Sequence, residues 1–195
     1  MTYQPPLQLE VVIGSDREGR FGPTVADWFA GQAKNRSELT VSTLDLAAFP
    51  LPTGLTSRLD PGAAAALAES GSRLERADAF VVVTPEYNHS FPAVLKNALD
   101  WHSGRWRAKP VGFVCYGGIS GGLRAVEQLR QIFAELHAVT VRDTVSFHGA
   151  SRQFDEAGQP REAATVNAAA HALLDRLVWW GQALREARAV RPYAG

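Results

Sequence analysis

The run Ala79-Phe80-Val81-Val82-Val83 constrains the fold more than any other stretch of this chain. An unbroken apolar run, mostly β-branched, suits a strand buried on both faces, and such strands belong to parallel sheets covered by helices. Thr84-Pro85 ends the run, because proline has no N–H for a sheet ladder. A polar loop follows with Glu86, Tyr87, Asn88, His89 and Ser90. After Pro92 the spacing of Ala93, Val94, Leu95, Ala98 and Leu99 becomes helical. A buried strand that empties into a loop at a helix start is where open α/β sheets bind ligands. Tyr87 offers a planar face, Asn88 and the turn amides offer donors and acceptors, and Pro85 stiffens the approach. The loop therefore suits a flat polar heterocycle, although its local chemistry also fits an ordinary strand-to-helix turn.

The rest of the chain repeats this alternation. Leu7 to Ile13, Leu39 to Leu46, Pro110 to Tyr116 and Val139 to Phe147 read as four more strands, the last bent around Arg142-Asp143. Helical spacing follows Gly22-Pro23 and recurs over Ala63 to Arg76, Leu123 to Leu136 and Glu162 to Arg188. Ala47 to Gly62, rich in proline and glycine, reads as a long loop that could wall a pocket. His148 to Pro160 reads as a polar, mobile connection. Strands alternating with helices predict one α/β domain over residues 1–195: a doubly wound, five-stranded parallel sheet of order 2-1-3-4-5 with helices on both faces. That order sets the first and third strands side by side, where the sheet's direction of winding switches.

The first strand opens into Gly14-Ser15-Asp16-Arg17-Glu18-Gly19-Arg20-Phe21-Gly22-Pro23-Thr24-Val25. Glycines, a serine and two arginines before a helix start suit an anion: the helix supplies free N–H groups and the positive end of its dipole. Ser15 donates a hydroxyl, Arg17 and Arg20 offer charge-assisted hydrogen bonds, and Thr24 and Val25 lie in the first turn. Neither the P-loop pattern nor the Rossmann glycine spacing is present. Standing alone, the loop reads as a solvated one with exposed arginines. The fourth strand ends in Tyr116-Gly117-Gly118-Ile119-Ser120-Gly121-Gly122, whose glycines let backbone approach a flat ligand closely.

Twenty basic and twenty acidic residues balance, which favours neither nucleic acid nor an anionic membrane as partner. Cys115 is the one cysteine, so no internal disulfide forms, and its apolar setting reads as core. His89, His102, His137, His148 and His171 show no metal-ligand spacing. Glu86 is a single loop carboxylate without an evident proton partner. His102 to Lys109 (HSGRWRAK) reads as an exposed basic turn at the sheet edge opposite the ligand loops. The amino-terminal MTYQPPLQLE lacks the features of a signal peptide, and no apolar run has membrane-spanning length, so the expected location is the cytoplasm.

The segment PEYNHSFPAVLKNALDW, from Pro85 to Trp101, resembles the signature of the NADPH-dependent FMN reductase family of flavodoxin-like proteins, which includes quinone, azo-dye and chromate reductases. The resemblance implies that Pro85, Glu86, Tyr87 and Asn88 lie along the flavin ring. It likewise implies that Gly14-Ser15-Asp16-Arg17 binds the FMN phosphate, and that Tyr116, Gly117 and Gly118 line the ring. Arg20 and Gly22 stand where many members carry serine and asparagine. FMN is then the cofactor, NADPH or NADH the co-substrate, and a small molecule such as a flavin or quinone the electron acceptor. A homodimer or homotetramer is expected, with the Pro92–Trp101 helix contributing Phe91 and Trp101 to the interface, although either aromatic fits the core equally well. The alternatives are a flavodoxin-like carrier or regulatory module without efficient NAD(P)H turnover, against which the balanced charge and the signature loop count, and a flavodoxin-fold protein that binds another phosphorylated ligand.

Overall fold

The computed structural model describes residues 5–194, so the first residues of the stretch read above for a leader lie outside it. Five strands form one sheet: β1 (Leu7–Ile13), β2 (Leu39–Asp45), β3 (Ala79–Pro85), β4 (Pro110–Gly117) and β5 (Val139–His148). All neighbours are parallel and the order is β2-β1-β3-β4-β5, as the alternation of strands and helices predicts. The helices are α1 (Gly22–Lys34), α2 (Pro61–Arg76), α3 (Ala93–Trp101), α4 (Leu123–Glu135), a short α5 (Ala150–Gln153) and α6 (Ala163–Val190).

The alternation of side chains divides the core in two. Leu9, Val11, Ile13, Val81, Val83 and Val114 meet α1 and α6 through Phe29, Leu173, Leu174 and Leu177. On the other face Val12, Phe80, Val82, Phe113 and Cys115 meet α2, α3 and α4 through Leu74, Leu95, Leu99, Leu129 and Phe133. Helices thus cover both faces. Every residue of β3 is buried, which is why its sequence is an unbroken apolar run rather than an alternating one.

Four local expectations need correction. Pro85 does not stop β3 but is its last residue, paired with Tyr116. Glu86 donates its N–H toward Tyr116, so residue 85 faces β1, whose pairing has ended at Ile13–Val83; the missing donor is not needed there. Helix α2 begins at Pro61, not Ala63, because Asp60 caps it by accepting from the Ala63 N–H at 3.0 Å and proline suits the first position. The long loop before it opens with a 3₁₀ turn, Leu46–Ala48, and is held to α3 by Asn97 donating to Leu51 O and Trp101 Nε1 donating to Pro52 O. The connection after β5 is ordered: it contains α5, and buried Phe154 packs against Phe21, Trp28 and Phe147.

The fourth correction concerns HSGRWRAK. It does lie at the amino ends of the strands, yet His102, Trp106 and Lys109 are buried. Trp106 packs between Phe80 and Phe133, tilted to the first and edge-on to the second, with ring centroids 4.6 and 5.4 Å away. Lys109 donates to the carbonyls of Leu74 and Glu75, both at 2.9 Å, satisfying the last turn of α2 where the helix dipole favours a cation. Burial pushes its pKa down to about 8. Ser70 spends its hydroxyl proton on Ala66 O, so His102 Nε2, 3.0 Å from Ser70 Oγ, carries a hydrogen and donates.

Candidate functional site

Three loops converge at the carboxyl ends of β1, β3 and β4, beside the point where winding reverses. In the first, Gly14 extends the ladder by donating to Val83 O at 2.8 Å, and the chain then leaves the sheet. None of the N–H groups from Ser15 to Gly19 donates to a backbone carbonyl, and α1 starts at Phe21 without a side-chain cap or an acidic first-turn residue. The Ser15 hydroxyl is buried and makes no hydrogen bond. A Cβ on Gly22 would stand 3.0 Å from both Ser15 Oγ and Tyr116 Oη, so glycine lets the start of α1 pack this close to the two hydroxyls. The result is a ring of free donors around the positive end of a helix, an arrangement suited to a phosphate.

The two arginines divide their work. Arg20 is bidentate to the Asp45 carboxylate and also donates to Ser15 O, so it holds the loop to the end of β2. The Asp45 hydrogen bond and charge raise its pKa, so it stays a cation. Arg17 is exposed and lies 5.9 Å over the Tyr87 ring, joining the first loop to the second. Thr24 is half-buried against the turn at Gly158. Val25 is wholly in the core, and its N–H already donates to Phe21 O.

In the second loop, Tyr87 and Ser90 exchange both backbone hydrogen bonds, at 2.9 and 3.0 Å. Asn88 and His89 between them have φ of 49° and 72°. Left-handed backbone at both central positions is a type I′ turn, a conformation asparagine and histidine tolerate better than most residues. The N–H groups of Asn88 and His89 have no partner among the described residues. Glu86 does not face an open pocket: its carboxylate accepts from Ser120 Oγ and the Arg124 N–H, with the Arg124 guanidinium 3.4 Å away. Burial alone would raise its pKa, but Ser120 and Arg124 outweigh that and hold it below the usual value. It is an ionised clasp between the second and third loops rather than a proton donor.

In the third loop, the four glycines differ in what they require. A Cβ on Gly118 meets nothing within 4 Å, which leaves room for a flat ligand. Gly117 is tighter, 3.1 Å from Gly122 N. Gly121 and Gly122 have φ of 61° and 91°, and a Cβ on Gly122 would lie 2.7 Å from Cys115 Cβ and Tyr116 N. Tyr116 points toward the first loop, where its ring meets Phe21 edge-on at 6.4 Å. Burial pushes its pKa up to about 12, with the nearby Arg17 and Arg20 charges opposing the rise.

The structure thus brings Ser15, Arg17, Gly22, Tyr87, Gly117 and Tyr116 together at the carboxyl ends of β1, β3 and β4. It gives Arg20 and Glu86 bracing partners and leaves Val25 in the core. Sequence reading missed Asp45, Ser120, Arg124 and Gln128, all polar residues that fix these loops. The one local signal was Asp45 at the end of a strand beside the first loop.

The protein family model described as NADPH-dependent FMN reductase matches residues 8–152, which span all three loops. An NAD(P)H-dependent FMN reductase of Schizosaccharomyces pombe is 38% identical over 117 residues, covering 57% of this chain and 58% of that protein, so the likeness spans less than two thirds of its length. A quinone reductase of Escherichia coli is 35% identical over 142 residues, covering 69% of this chain and 73% of its own. The solved flavoenzyme NAD(P)H:acceptor oxidoreductase FerB of Paracoccus denitrificans shares the fold, with a TM-score of 0.68 and 21% identity over 90% of this chain and 97% of that one. With three loops meeting at the switch point and the match running from β1 to α5, the chain belongs to the NADPH-dependent FMN reductase family.

Proposed function

We propose that the protein is an FMN-dependent oxidoreductase that draws on NADPH or NADH and reduces a small acceptor such as a quinone or a free flavin. The observation that carries this reading is the buried, partnerless Ser15 hydroxyl beneath the uncapped start of α1. A buried hydroxyl without a partner is costly, and a phosphate oxygen would satisfy it. The relatives named as NAD(P)H-dependent FMN and quinone reductases support the same chemistry.

Each loop then has a task. Ser15, the free N–H groups of the first loop and Arg17 hold the phosphate, while Arg20 keeps the loop in place through Asp45. Gly22 lets the first turn of α1 lie against Ser15 and Tyr116. Tyr87 and Asn88 meet the ring from the second loop, and Gly117 and Gly118 offer backbone against it from the third. Glu86 fixes the distance between those two loops. Bound FMN would supply the hydride-accepting and electron-donating chemistry, which is why the cleft needs no acid–base triad of its own. Ile119, in the third loop, is 88% exposed, an apolar side chain that a homodimer or homotetramer would cover. Residues 1–195 act as one unit in the cytoplasm in this reading.

The test is the visible spectrum of purified protein, followed by anaerobic NADPH. A bound flavin that bleaches within seconds establishes the reductase half-reaction. A flavin that stays oxidised supports a carrier instead, and failure to take up added FMN overturns the reading.

A further inference from the structure

We infer that Gln128, on helix α4, is a positioning residue that clamps the Tyr87–Ser90 turn and so governs how tightly FMN is held. The inference rests on the FMN reading above and adds a residue outside the three loops. One amide grips the turn with both of its ends: Gln128 Oε1 accepts from Ser90 Oγ at 2.6 Å, and Gln128 Nε2 donates to His89 O at 2.8 Å. Among uncharged side chains, only an amide of this length accepts and donates in this way at one reach.

The turn has need of such a hold. Its two central residues carry left-handed backbone without being glycine, and their own side chains make no hydrogen bond among the described residues. Released, Asn88 and His89 are free to return to negative φ, which would swing the Tyr87 ring and the two free N–H groups at the tip. Arg124, one helical turn before Gln128 and so on the same side of α4, holds Glu86 at the other end of the loop. Helix α4 therefore grips the second loop at two points, and Gln128 secures the one nearer the tip.

The test compares wild type with Q128L, Q128E and S90A. In flavin-free protein, hydrogen exchange at the paired Tyr87 and Ser90 amides reads turn closure directly. In the same preparations, flavin fluorescence gives the FMN dissociation constant. Q128L is expected to exchange faster at both amides and to bind FMN about tenfold more weakly, the loss of two hydrogen bonds. S90A, which removes one bond and keeps the helix intact, is expected to show a smaller loss, and it serves as the test should Q128L fail to fold. Q128E is expected to be weak near neutral pH and to recover, relative to wild type at the same pH, as its carboxyl protonates toward about pH 4, when it can again donate and accept. Unchanged exchange and affinity in Q128L or S90A, or no recovery of Q128E in acid, overturns the inference alone. A wild type with a protected turn that takes up no FMN overturns the functional reading and this inference together.

Discussion

Arg17 and Arg20 stand three positions apart in one loop, yet their surroundings give them different duties. Arg20 already has its charge matched by Asp45, whereas Arg17 is exposed with only the Tyr87 ring beneath it. Replacing Arg17 with alanine should weaken FMN binding by about tenfold or more, the loss of a charge-assisted hydrogen bond, without altering stability. Replacing Arg20 should instead lower stability by about 1 kcal/mol, because Asp45 and Ser15 O lose their donor, with a smaller effect on affinity. Flavin fluorescence titration beside urea unfolding of both variants separates the two. Equal losses of affinity would contradict the division. Sequence alone could not make this distinction, since the partner of Arg20 lies 25 residues away on another strand.

Among the elements, the strands were the most legible, because β-branched runs between turn residues have few other uses. The sheet order followed from right-handed crossovers, and it located the cleft before any side chain was considered. Less legible were the braces. Glu86 finds Ser120 and Arg124 only after β4 and α4 have been laid beside β3, and no local pattern announces a pair 34 to 38 residues apart. The buried face of HSGRWRAK was hidden for the same reason: charge in a short segment masks an aromatic that tertiary packing draws inward. The start of α2 differs, since Asp60-Pro61 is a local cap signal that the glycine- and proline-rich surroundings obscured.

The turn from β4 into α4 yields a prediction of its own. Gly122 has no room for a side chain and a backbone that side chains disfavour. Gly122→Ala should cost about 2 kcal/mol or more in urea unfolding. Gly118→Ala, at an open position, should fold normally and act on flavin binding alone. A Gly122→Ala protein as stable as wild type would show that the turn relaxes freely.

For the whole molecule, stability should depend on pH through His102. Burial, aided by the nearby Arg105 charge, pushes its pKa down to about 4 from an ordinary 6.5. The folded state therefore prefers the neutral ring. The stabilisation is complete above pH 6.5 and is lost as pH falls through about 4. Its full size is on the order of 3 kcal/mol. Urea unfolding across this window should show wild type weakening as acid is added and His102→Gln weakening much less; parallel curves would remove His102 from the account.

The thiol of Cys115 lies inside the central sheet, and burial pushes its pKa up to about 12. An alkylating reagent should leave the folded protein untouched for as long as β4 stays covered, and should react promptly in urea. Labelling of the native protein at the speed of a free thiol would contradict this placement. Because the sequence holds a single sulfhydryl, each alkylated molecule records one past opening of its own interior. Mass spectrometry of an ageing sample then becomes a stopwatch for rare unfolding, and any mononucleotide that settles in the cleft should slow its hand.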